Sequence, residues 1–148
     1  MKAVVQRVKN ASVTIEDKLY SSIEQGYLIL FGAEKGDTKE QADWLANKVS
    51  VLRCFSDENG KMNLSIQDIN GEMLIVSQFT LCADIKKGTR PSFDKAMEPE
   101  EAKELYEYFV LKVKENNIPV QTGVFGAHME VKLLNDGPVT FVIQPPVK

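Results

Sequence analysis

Along the 148-residue chain, short apolar runs of strand length alternate with two longer stretches whose apolar residues recur at helical spacing. "KAVVQRV" (2–8) and "ASVTIED" (11–17) predict two strands parted by a turn at Lys9-Asn10. In the second, Val13 and Ile15 alternate with Thr14 and Glu16, the pattern of a strand wet on one face. "GYLILFGA" (26–33) is apolar between glycines, as a buried strand is. The period then changes. From Asp37, "DTKEQADWLANKVSVL" sets Ala42, Leu45, Val49 and Leu52 on one helical face with Ala46 beside them; Asp37 is the expected cap and Glu40 its capping-box partner. A second helix is expected near "EPEEAKELYEYFVLKVKENN", with Pro99 in its first turn and Ala102, Leu105, Phe109 and Val113 as its buried stripe.

Between the helices, Asn59-Gly60 and Asn70-Gly71 are dipeptides favoured in tight hairpin turns. After Pro119 the strand pattern returns in "PVQTGVF", "AHMEVKLL" and "PVTFVIQ". With no internal repeat or linker, residues 1–148 read as one α+β domain: an antiparallel sheet curled into a barrel, with two helices inserted between strands.

Composition narrows the function. No run of about 18 apolar residues exists to span a bilayer, and Gln6 and Arg7 interrupt the N-terminus too early for a signal-peptide core. A cytoplasmic location is the default. Cys54 and Cys82 make no disulfide framework and are expected to be reduced, structural thiols. With a single histidine, His128, and no paired cysteine spacing, no usual zinc ligand set can be assembled, and no cofactor motif is present. A net charge of −3 disfavours broad nucleic-acid binding but leaves room for a local basic patch. "KKGTR" supplies one in Lys86, Lys87 and Arg90, unless it is simply a solvated turn.

A Ser-His-Asp site would have to use His128. The alternation of "AHMEVKLL" puts His128 with Glu130 and Lys132 on the wet face of a strand, opposite Ala127, Met129, Val131 and Leu133. A histidine-based triad is therefore not expected. "LIVSQFTLCAD" (74–84) is more informative: an apolar strand continues through Ser77, Gln78 and Thr80, leaving a polar group on each face of a regular strand. Either these groups bond to neighbouring backbone at a strand end, or a partner or substrate meets them. "NDGPVT" (135–140) fits a turn between two strands, with a glycine before proline that permits unusual backbone.

Together these stretches resemble the D-aminoacyl-tRNA deacylase family. The similarity runs almost end to end, through "VQRV", "ASVT", "GKMNLS", "VSQFTL", "KKGTRPSF", "TGVFGA" and "NDGPVT". One departure is "LYSSIEQG" (19–26), where relatives commonly carry a glycine at the first turn. The resemblance implies a homodimer of barrel-like subunits with active sites at the interface. It implies metal-free hydrolysis of D-aminoacyl-tRNA, and of glycyl-tRNA, sparing the L-aminoacyl form. Ser77, Gln78, Phe79 and Thr80 would line the site, and Gly137-Pro138 would enter the partner's site as a cis dipeptide that recognises chirality, held by Arg7. Threonine needs a base that is lacking here, so Phe79 and Thr80 are expected to act chiefly through backbone N–H groups, with the terminal ribose 2′-hydroxyl assisting water. Lys86, Lys87 and Arg90 would contact tRNA. Apart from the resemblance, the residues also admit a non-catalytic RNA-end binder or a small-molecule-binding barrel.

Overall fold

The computed structural model describes residues 1–146. Its frame is one long strand, β1 (Lys2–Ile15), paired on both edges. Along one edge run β2 (Lys18–Ile23) and β3 (Gly26–Gly32), antiparallel to it and end to end; along the other lies β8 (Glu130–Ile143), also antiparallel. Lys9-Asn10 is therefore not a turn. Both residues are exposed, and Lys9 is an extra residue where the β8 ladder shifts register, but Asn10 is paired with Leu134 and the ladder carries the strand through, overriding the local preference. The first reversal is at Glu16 and Asp17, whose φ values of 49° and 63° serve the turn that glycine serves elsewhere. The serines that follow are strand residues, and Ser21 donates to Thr122 O at 2.8 Å.

Beyond β3 the sheet continues as β6 (Glu72–Ser77) and β7 (Val120–Thr122), each parallel to its neighbour. The sheet is thus mixed, not wholly antiparallel. Each parallel step follows a helical crossover, which returns the chain to the end from which the previous strand started. The first crossover carries α1 (Lys39–Val51) and the small hairpin β4 (Phe55–Ser56) and β5 (Met62–Leu64); the second carries α2 (Pro99–Glu115). Asn59-Gly60 lies in the β4–β5 loop, whereas Asn70-Gly71 leads into β6 without forming a hairpin. The α1 cap is Thr38, not Asp37: its hydroxyl accepts from Gln41 N–H while the Gln41 side chain accepts from Thr38 N–H. Asp37 instead accepts from Glu34 N–H and pairs with the N-terminal ammonium at 2.5 Å.

Both helices cover one face of the sheet. Leu45 and Val49 of α1 and Leu105, Phe109 and Val113 of α2 bury against Ala3, Val5, Ile29, Phe31 and Ile75. The predicted stripes hold, and α2 adds a buried Tyr106 whose hydroxyl is satisfied by Ile75 O at 2.6 Å. A smaller apolar cluster fills the other face, where Val8, Val13, Leu28 and Leu74 meet Met129, Val131 and Leu133. Cys54 and Cys82 are free and buried. Among the described residues no helix is long and apolar enough to cross a membrane.

Candidate active site

The "SQFTL" stretch is not a continuing strand. β6 ends at Ser77, which still pairs with Phe31; Gln78 N–H then donates to Phe31 O at 2.7 Å, and the chain tightens into a 3-10 turn, Phe79–Cys82. Gly32 makes room for it, because a Cβ there would lie 2.9 Å from Gln78 O and 3.1 Å from Leu81 Cβ. Leu81 N–H donates to Gln78 O, the first bond of the turn, and no side chain caps it. The N–H groups of Phe79 and Thr80 therefore precede any partner the turn can offer. The polar residues that interrupt the strand pattern mark its end and the exposure of these donors.

Ser77, Gln78 and Phe79 open on a cleft of 540 Å³ at the carboxyl ends of β6 and β7. Ser77, Gln78 and Phe79 form one wall, the segment entering α2 (Phe93, Met97, Glu98) another, and the loop after β7 (Phe125 to Met129) a third. Phe79 is 56% exposed and packs against Phe93, ring centroids 4.9 Å apart. Thr80 is exposed and is not among the cleft-lining residues; its hydroxyl accepts from the Gln78 side-chain amide. His128 is a correction. β8 begins at Glu130, so His128 lies in the preceding loop and joins the cleft wall, together with Glu98. Strand alternation misplaces it by assigning to β8 three residues, Ala127 to Met129, that belong to its approach. Among the described residues no three His, Cys, Asp or Glu side chains group closely enough to hold a metal ion.

Gly137 and Pro138 lie elsewhere, and "NDGPVT" does not separate two strands. It is a bulge inside the single strand β8. Gln6 pairs with Thr140 and Val8 with Asn135, so the four residues 136–139 face Arg7 alone. Asn135 closes the base of the bulge: its Oδ1 accepts from Val139 N–H at 2.8 Å, and its amide donates to Val139 O and to Thr140 Oγ1. Arg7, only 9% exposed, holds the near limb by donating Nε–H to Asp136 O at 2.8 Å and Nη1–H to Cys54 O at 2.7 Å. Gly137 and Pro138 themselves are exposed, and the bond between them is cis. By sequence Asn135 is only a turn residue; the one signal for its bracing role is its place just before Asp136-Gly137-Pro138.

Within one chain the two groups do not meet. The strand order β8-β1-β3-β6 puts three strand spacings, roughly 14 Å along the sheet, between the bulge and Ser77. The basic residues stand nearer the cleft. Asp84 and Ser92 exchange backbone hydrogen bonds, and Lys86, Lys87 and Arg90 are exposed on the loop they close, next to Phe93. The Lys86 N–H beside Asp84 holds that carboxyl below the usual range.

Comparison with known proteins gives the chain's family and fold. The family model described as D-Tyr-tRNA(Tyr) deacylase matches residues 4–144. A D-aminoacyl-tRNA deacylase of Geotalea uraniireducens is 58% identical over 146 residues, covering 99% of this chain and 94% of the relative. Another, from Thermosipho africanus, is 57% identical over 143 residues, covering 97% and 96%. Among solved structures, one described as c-Myc DNA Unwinding Element Binding Protein superposes with a TM-score of 0.92 at 40% identity, over 99% of this chain and 100% of that one. A probable eukaryotic D-amino acid tRNA deacylase, 16% identical, shares the fold with a TM-score of 0.80 over 96% and 97%. The chain is a hydrolase of the D-Tyr-tRNA(Tyr) deacylase family.

Proposed function

We propose that the protein hydrolyses the ester joining a D-amino acid, or glycine, to the 3′ end of tRNA, spares L-aminoacyl-tRNA, and does so as a homodimer. The observation that carries this reading is the cleft at the end of β6, where Phe79 opens a 3-10 turn whose first N–H groups have no acceptor within the turn and lies beside an exposed Phe93, in a chain of this family. An aminoacyl ester is already activated, and its tetrahedral intermediate chiefly needs its oxyanion met. A donor placed for that purpose lowers the barrier by about 2.7–4 kcal/mol. The N–H groups of Phe79 and Thr80 take that role, and the ribose 2′-hydroxyl of the terminal adenosine helps deliver the water. The rings of Phe79 and Phe93 offer a face on which the terminal base stacks.

Chirality is read by Gly137-Pro138 of the second copy. An α-carbon pressed against main-chain carbonyl oxygens presents a hydrogen to them but not a side chain, so the D-form fits, the L-form collides, and glycine passes. Dimerisation is supported by the bulge, which projects from β8 with no use in its own chain, and by the exposed apolar Leu134 and Val142 on either side of it. The deciding experiment compares deacylation of D-tyrosyl-, L-tyrosyl- and glycyl-tRNA. Rapid loss of the first and third with the L-ester spared is expected; equal rates for the D- and L-esters would exclude such a filter.

Two variants test the assignments. Thr80→Ala should retain hydrolysis within about tenfold, since it removes one hydroxyl hydrogen bond while keeping the backbone donor. A fall to background with substrate binding intact would make the hydroxyl the nucleophile. Replacing Lys86, Lys87 and Arg90 together by alanine should weaken tRNA binding and flatten its dependence on salt, similarly for different tRNAs, because phosphates carry no sequence information. An unchanged salt slope would leave the loop a solvated turn.

A further inference from the structure

The buried side of Arg7 is held as closely as the side that meets the bulge, and by groups that no chemical step uses. The ladder register sets Arg7 on β1 directly opposite Tyr27 on β3, so both side chains lie on the helix-covered face of the sheet. Tyr27 is fully buried, its ring centroid 5.0 Å from that of Phe55, and its hydroxyl lies 2.7 Å from Cys54 Sγ. The carbonyl of the same Cys54 receives Arg7 Nη1–H. Phenylalanine would fill the site with the same ring. Burying a hydroxyl carries a desolvation cost that phenylalanine avoids, and the contact that offsets it here is Cys54.

We propose that Tyr27 is a positioning residue for chiral selection: its hydroxyl fixes Cys54, the Cys54 carbonyl fixes the Arg7 guanidinium, and Arg7 fixes the Asp136 carbonyl from which the Gly137-Pro138 bulge springs. This rests on the reading of that bulge as the chirality filter. The guanidinium is a rigid planar fork with one acceptor on each of two prongs. A shift of the Cys54 carbonyl therefore tilts the fork and displaces the Asp136 carbonyl on its other prong. Burial pushes the Tyr27 phenol and the Cys54 thiol up from their ordinary pKa values, so both stay protonated at neutral pH and the linkage is a neutral hydrogen bond.

The test is Tyr27→Phe, read as the ratio of D- to L-tyrosyl-tRNA deacylation. Mutations along such a linkage change coupling by amounts that correspond to between twofold and thirtyfold, roughly. The ratio should fall within that range in an otherwise wild-type chain and stay unchanged when the substitution is added to Arg7→Lys. Cys54→Ser, which keeps a hydrogen-bonding group for Tyr27, should preserve the ratio, and Cys54→Ala should lower it as Tyr27→Phe does. A second readout is hydrogen exchange of the Arg7 Nε–H followed by NMR, expected to quicken in Tyr27→Phe. If folded Tyr27→Phe keeps both the ratio and the exchange rate, or if its effect adds in full to that of Arg7→Lys, the inference is overturned. A wild-type protein that does not distinguish D from L would refute the filter instead, and the exchange measurement would still decide whether Tyr27 holds Arg7.

Discussion

Alanine at Arg7 is expected to lower stability by about 3 kcal/mol and D-aminoacyl hydrolysis by about a hundredfold. The first effect follows from burial. The guanidinium donates to Cys54 O, in a buried bond, and to Asp136 O, and an alanine leaves both carbonyls without a donor. It also removes a stem packed on the helix-covered face of the sheet, opposite Tyr27. The second effect follows from what the carbonyls belong to. Asp136 O anchors one limb of the bulge, and an unanchored limb lets Gly137-Pro138 drift by the kind of distance that costs two orders of magnitude in rate. Selectivity for the D-ester should fall with the rate. Arg7→Lys should lie between, since an ammonium keeps the charge but lacks the planar fork that spans two acceptors. Urea melts and parallel D- and L-ester assays check both effects. Stability lost with rate and selectivity intact would reduce Arg7 to a structural residue.

Such a role was legible only through the family resemblance. By composition and spacing, "VQRV" is an ordinary strand, and nothing local says that its arginine points inward toward residue 136. Long-range register supplies that information, as it does for the parallel pairing of β3 with β6, which leaves no local signature. The helices were plainer, because a 3.6-residue period is written in the segment itself: Ala42, Leu45, Ala46 and Val49 are buried as their spacing predicts. Turn chemistry misled where ladders are strong. Lys9-Asn10 and Asn135 to Pro138 both look like reversals, yet β1 and β8 run past them, the first with one extra residue at Lys9 and the second with the larger bulge at 136–139. His128 fails for the opposite reason: the alternation holds from Glu130 onward but not over the three residues before it, Ala127 to Met129. The cleft thus has two ionisable side chains, His128 and Glu98, that strand periodicity did not bring to it.

The proposed division of the site between β6 and β8 makes a stronger prediction at Gly137 than at any cleft residue. Gly137→Ala should leave the protein folded, weakened by roughly 1–3 kcal/mol, while hydrolysis of D-aminoacyl-tRNA falls at least about a hundredfold. Gly137 is exposed, so no core is disturbed. Its φ of +156° is one that residues with a Cβ rarely adopt, and the added Cβ would lie 2.5 Å from both Val139 N and Val139 Cγ2. Val139 cannot readily give way, because it is buried and its N–H is tied to Asn135 Oδ1 at 2.8 Å. The Gly137-Pro138 tip must move instead, and the tip is what the substrate is proposed to meet. Gly60→Ala is the matched control. Its φ of +76° is strained for alanine as well, but its Cβ would touch nothing within 4 Å and it sits in the β4–β5 loop, away from both cleft and bulge. That variant should show a comparable loss in a urea melt and wild-type hydrolysis. If Gly137→Ala behaves like Gly60→Ala, with stability reduced and the D-ester still cleaved at the wild-type rate, then the bulge is no part of the substrate site.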